Sequence, residues 1–155
     1  MSTSTIELLP VDDSPTREAA RSLITEYLRW IASSAAANYG LAFDVDAMVK
    51  SDLDDRAKFY PPDGRFYLVQ HTGVGVGVGC LKRLTPTIAE VQRMYVQPHV
   101  RGIGAGRLLV EQLLADARAI GYEVVRLESL KILSAARNSV ALRGARRAIV
   151  TVCRH

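Results

Sequence analysis

The sequence predicts a single α/β domain. Three observations carry that reading. Apolar residues recur at helical spacing from Ala20 to Ile31; alternating segments rich in valine follow; and a long amphipathic helix starts at Ala105, directly after a glycine-rich loop. Composition agrees. The chain has 155 residues, 48% hydrophobic and 23% charged, the balance of a globular domain that builds its core without staples. No run reaches the ~18 apolar residues of a membrane span. The opening MSTSTIELLPVDDSP lacks the basic and apolar regions of a secretory signal. Cys80 and Cys153 lie far apart without metal spacing. A reduced, cytoplasmic protein with no metal and no membrane partner is therefore expected.

Each element has its own signal. Ile6 to Leu9 is short, apolar and closed by Pro10, as a first strand would be. Asp12, Asp13 and Ser14 before Pro15 start a helix. Its apolar face is Ala20, Leu23, Ile24, Tyr27, Leu28 and Ile31, and it ends in the Ser33–Ala37 region, broken by Asn38 to Gly40. Tyr27 and Trp30 are read as core or cleft wall. A second, acid-rich helix is expected from Asp46 to Lys58, then a turn at Pro61 to Gly64. Arg65 to Gln70 alternates as a strand, and His71 marks a turn. Val74, Val76, Val78 and Cys80 then share one face of a strand, with Gly73, Gly75, Gly77 and Gly79 on the other. A bare face that lets a helix pack close is favoured over a flexible, ligand-gating repeat. Cys80 on that strand is read as core rather than nucleophile. Ile88 to Val96 is the next strand, Gln97 to Gly104 a loop, and Ala105 to Ile120 a helix with Gly121 just past its end. Val124 to Leu127 is a short strand.

The net charge of +4 misleads. Arg137, Arg143, Arg146, Arg147 and Arg154 lie at the C-terminus, and no acid follows Glu128; residues 1–136 carry 15 basic against 16 acidic groups. A nucleic-acid partner would rest on this tail alone, with no aromatic ring interleaved, and is disfavoured.

The chemistry points to residues 90–106. A strand feeds a glycine-rich loop, and the loop feeds a helix N-terminus, where unpaired amides and a partial positive charge receive anions. Arg101 and Arg107 flank the loop and offer charge-assisted contacts. An ordinary strand-to-helix connection would show the same pattern, and residue types alone leave the two level. A Walker loop is excluded, because no Lys-Ser/Thr pair follows the glycines. A dinucleotide fingerprint fits Gly102 and Gly104 but meets Arg107 at its third glycine, although Glu128 stands where a ribose-binding acid would. His99 either faces phosphate or is simply exposed.

Arg101-x-x-Gly104-x-Gly106 resembles the Q/R-x-x-G-x-G/A signature of the GNAT superfamily of acyl-CoA N-acyltransferases. Arg93 to Leu109 resembles that family's fourth strand, bulge, loop and third helix, and Glu123 to Glu128 its fifth strand. Tyr60 to Gly64 and Gly79 to Leu81 resemble the region of its second and third strands. The likeness covers residues 4–138. It implies a central mixed, mostly antiparallel sheet flanked by helices, with the fourth strand splayed from the fifth. It implies acetyl-CoA as co-substrate, its pyrophosphate on the amides of Arg101, Gly102, Ile103, Gly104, Ala105, Gly106 and Arg107. The pantetheine arm would pair along Met94, Tyr95 and Val96 like an added strand. Asn138 would touch the CoA arm. An amine of a small molecule or peptide would attack the thioester directly.

Glu90 matches the Glu often found on the fourth strand of such enzymes, and as a base it would take the proton from the amine. On a regular strand it shares a face with Gln92 and Met94. The competing reading is a solvated Glu paired with Lys82 or Arg83. The likeness stops after Asn138. The family pattern A-x-x-L-Y-x-x-x-G-F finds neither its Tyr nor its Gly-Phe, and Ser139 to His155 contains no Phe, Tyr or Trp. The last hairpin is expected to be missing or altered, as after a shifted reading frame or an exchanged terminus. Residues 139–155 then form an atypical basic tail, and Ala148 to Cys153 pairs beside the fifth strand or with a second copy in a homodimer. The alternative function is a CoA-binding protein with little transferase activity.

Overall fold

A computed structural model describes residues 5–40, 42, 44–127 and 148–149. Among them, six strands form one sheet in chain order: β1 (Ile6–Pro10), β2 (Arg65–His71), β3 (Val74–Arg83), β4 (Ile88–Val96), β5 (Val124–Leu127) and β6 (Ala148–Ile149). The first four pair antiparallel, and β4–β5 and β5–β6 pair parallel. The mixed, mostly antiparallel sheet expected from the sequence is therefore present. The start of the segment from Ala148 lies beside β5, as one of its two expected pairings had it. Asn138, Cys153 and the rest of the tail lie outside the described residues.

Among the described residues, three α-helices flank the sheet: α1 (Ser14–Tyr39), α2 (Val45–Asp54) and α3 (Ala105–Ile120). α1 opens on a local network in which Asp13 Oδ1 accepts from the Thr16 amide at 2.9 Å, while Thr16 Oγ1 accepts from the Asp12 and Asp13 amides. It outlasts its expected end and stops at Gly40, whose φ of +64° suits glycine and ends the helical turn. α2 is capped by Asp44, which accepts from Ala47 N. It ends at Asp54 rather than Lys58, because the Asp55 carboxylate accepts from Ala57 N and turns the chain out of the helix.

Two apolar layers result. α1 and α2 cover one face with Ile24, Tyr27, Leu28 and Leu53, against Phe66, Leu68, Val78, Cys80 and Tyr95 of the strands. α3 covers the other with Leu109, Leu113 and Ala117, against Val69, Val76, Leu81, Val91, Val125 and Leu127. Each Leu buried this way contributes about 1.5–3 kcal/mol. Cys80 is a buried thiol, and burial, the largest cause, pushes its pKa well up, which suits core rather than nucleophile. Trp30 is exposed, while Tyr27 is core.

The glycine–valine run departs from regular alternation. A register shift between Val69 and Gln70 places an extra β3 residue opposite them, so Val76 packs under α3 while Val78 and Cys80 pack under α1 and α2. One valine face was expected, and the bulge divides it. The close-packing role of the glycines survives on both sides. A Cβ on Gly75 would sit 3.4 Å from Ala19 of α1, and one on Gly79 would sit 2.6 Å from Leu109 of α3. Leu109 is fully buried and has nowhere to swing. Gly79→Val is therefore expected to lose about 1–3 kcal/mol of stability, measured as a lower denaturation midpoint in urea.

Candidate active site

The site begins where β4 stops being regular. In the pairing with β3, Val78 stands opposite Tyr95 and Cys80 opposite Gln92. Arg93 and Met94 therefore share the single residue Gly79 across the ladder, which is a β-bulge. The bulged residue Arg93 has φ +55°. A bulge bends its strand and re-aims the residues beyond it. Glu90 and Gln92 face the α1–α2 side, as their partners Lys82 and Cys80 do. Arg93 reaches α2 on the same side, and Tyr95 packs on Tyr27 of α1 with ring centroids 5.3 Å apart. Met94 and Val96 pack in the α3 layer instead. Met94 was expected on Glu90's face, and the extra residue of the bulge moves it to the other.

β4 pairs parallel with β5, which is described to Leu127. Their described pairing runs from Ile88–Val124 to Val91–Leu127. Beyond Val91, β4 continues to Val96, paired among the described residues with β3 alone. A parallel β4–β5 pair is consistent with the splay implied by the resemblance.

Glu90 is half-buried. It stands in register between Lys82 of β3 and Arg126 of β5. Its described hydrogen bond is from Gln92 Nε2 to its Oε1, at 2.6 Å. Neither expected ion pair forms among the described residues, and Arg83 pairs with Asp63 at 3.2 Å instead.

The loop after β4 starts with a 3₁₀ turn, Pro98–Val100. Arg101 folds back, its Nε donating to the Val96 carbonyl at 3.1 Å. Gly102 and Gly104 both have φ +89°, a conformation that glycine takes at no steric cost. Gly104 is the N-cap of α3, and no side chain caps the helix. The first intrahelical bond is Leu108 N to Gly104 O, so the amides of Ala105, Gly106 and Arg107 precede the ladder. A Cβ at Gly102, Gly104 or Gly106 would meet nothing within 4 Å. The glycines thus border open space rather than protein. Arg107 pairs with Glu111 at 3.0 Å on the exposed surface, a contact of the kind that holds a side chain weakly. Ile103 is exposed and Ala105 buried.

Two residues beside the site had no role in the sequence reading. Glu26 of α1 accepts from Tyr95 Oη at 2.7 Å and from Gln97 Nε2 at 3.2 Å. Asp52 of α2 is fully buried and pairs with Arg93 and Lys58. The signal for Asp52 was its place three residues after Val49 and next to Leu53, on the buried side of a helix otherwise rich in solvated acids.

The Tyr95 phenol is pushed up to about 12, by burial first and then by its bond to Glu26. A raised folded value stabilises the fold below the ordinary value near 10, and that contribution is lost as pH climbs towards 12. Tyr95→Phe is therefore expected to lose less stability than the wild type between pH 10 and 12, measured by urea unfolding at intervals across that range.

Comparison with known proteins places this geometry. The acetyltransferase (GNAT) family pattern matches residues 20–141. The IAA acetyltransferase of Azospirillum brasilense is 32% identical over 118 residues, 76% of this chain and 70% of that protein. A GNAT-family acetyltransferase structure from Staphylococcus aureus superposes with a TM-score of 0.66 at 17% identity, covering 86% of this chain and 79% of its own. The PaiA N-acetyltransferase of Thermoplasma acidophilum, solved in complex with coenzyme A, superposes at 0.62 with 16% identity, covering 86% and 85%. The bulged strand, the parallel β4–β5 pair and the uncapped glycine loop thus belong to a chain that is a member of the acetyltransferase (GNAT) family, an acyltransferase by class.

Proposed function

We propose that the protein transfers an acetyl group from acetyl-CoA to a primary amine on a small molecule or peptide in the cytoplasm. One observation carries the proposal: β4 bends at a bulge and leads through two left-handed glycines into a helix N-terminus that no side chain caps. Open space beside Gly102, Gly104 and Gly106 fits a diphosphate held by backbone amides. Acetyl-CoA, when bound, supplies an activated thioester whose sulfur is the leaving group.

The chain's own residues do the rest. The amides from Arg101 to Arg107 hold the diphosphate. The backbone from Met94 to Val96 aligns the pantetheine arm as an added strand, and an N–H there polarises the acetyl carbonyl. Glu90 accepts the proton that the amine must lose, directly or through water, since a free alkylamine has a pKa of about 10.4. Asn138, outside the described residues, is assigned contact with the CoA arm on the resemblance alone.

A second reading has its own support. Ser139 to His155 offers no tyrosine to protonate the departing thiolate, which favours a CoA binder that turns over slowly. Colorimetric thiol detection with acetyl-CoA and a panel of amines separates the two. Amine-dependent thiol release is the expected result. Coenzyme A binding without release for any amine would establish the second reading.

A further inference from the structure

We infer that Asp52 is a positioning residue for acyl transfer, acting through Arg93 to hold the β4 bulge in shape. This rests on the acyltransferase reading above. Among the described non-glycine residues, only Thr72 and Arg93 have positive φ. Thr72 lies in the two-residue hairpin between β2 and β3, where such angles are the rule. Arg93 lies inside a strand, where a residue with a Cβ takes this conformation only when its surroundings impose it.

The surroundings are visible. Arg93 Nε donates to Asp52 Oδ2 at 2.7 Å, and its Nη2 reaches Asp52 Oδ1 at 3.5 Å. Lys58 Nζ meets Asp52 Oδ1 at 2.5 Å. The Asp52 side chain is 0% exposed, and those of Arg93 and Lys58 are 12% and 16% exposed. A buried carboxylate between two cations is a costly arrangement that adds little net stability against a well-packed apolar cluster. Its use here is geometric. It ties the bulged residue to α2, and so fixes the direction in which the strand leaves the bulge from Met94 to Val96. Those are the residues proposed to align the thioester. Without the tie, the strand would relax towards regular pairing, and the polarising amide would turn with it.

The test compares substitutions at the bulge. Arg93→Gly and Arg93→Ala remove the same guanidinium, but glycine holds a positive φ unaided and alanine does not. With the acetyl-CoA and amine assay, kcat of R93G is expected to exceed that of R93A by about tenfold, from the left-handed preference of glycine. Asp52→Asn is expected to lower kcat by about tenfold with a smaller change in KM for acetyl-CoA, because the loop proposed to hold the diphosphate lies elsewhere. All variants are assayed where circular dichroism shows them folded. Should D52N fail to fold, the glycine–alanine comparison still decides. Equal kcat for R93G and R93A, or a folded D52N with wild-type kcat, would overturn the inference while leaving the acyltransferase reading intact. A wild-type chain that releases no thiol with any amine would overturn that reading, and this inference with it.

Discussion

Glu90→Gln is expected to lower turnover at neutral pH by about 10²–10⁴-fold, the range over which a positioned base accelerates proton transfer. The substitution keeps the side chain's size and its capacity to accept from Gln92 Nε2. It removes the negative charge and with it the ability to take a proton. Coenzyme A binding, measured by calorimetry, should survive, because the loop proposed to hold the diphosphate runs from Arg101 to Arg107. The defect should shrink as pH approaches the amine's own pKa of about 10.4, where solvent supplies neutral amine without help. Unchanged turnover at pH 7 would remove Glu90 from the base role. It would then be read as a strand residue satisfied by Gln92 and flanked by Lys82 and Arg126.

Gly104→Val has the second large effect, on binding. Gly104 has φ +89° and caps α3. A β-branched residue there is strained by about 1–3 kcal/mol, and relief of that strain turns the first amides of the helix away from the diphosphate. Each lost bond to a charged group costs about 1.5–3 kcal/mol. The dissociation constant for coenzyme A should therefore rise by about 10²-fold or more. Fluorescence competition against a labelled coenzyme A would measure it. A Cβ at Gly104 would meet nothing within 4 Å, so the cost of the substitution lies chiefly in the backbone. Folding should therefore be affected less than affinity, and a variant with lost stability but wild-type affinity would contradict the assignment.

Sequence and structure agree best where local signals are strong. The strand from Ile88, the glycine loop, and α3 with Gly121 past its end stand where periodicity and glycine placement put them. They agree less where one inserted residue changes what a face means. Alternation cannot reveal the bulges at Val69/Gln70 and at Arg93–Met94, because a bulge is a property of a pair of strands. Val76 and Met94 were placed on the wrong faces for that reason. Asp52 was hidden for another. In sequence only its place beside Val49 and Leu53 marks it as buried, and its pairing with Arg93, far along the chain, appears only in the fold. Glu26 is similar, an acid on the exposed side of α1 that meets Tyr95 only once α1 lies across β4.

The measurement closest to the central claim is a calorimetric titration of the wild-type chain with coenzyme A and, separately, with pantetheine, which carries the same thiol arm but no diphosphate. If the amides at the start of α3 grip a diphosphate, coenzyme A binds and pantetheine binds at least about 10²-fold more weakly. No heat with coenzyme A, or equal affinity for the two ligands, would contradict it.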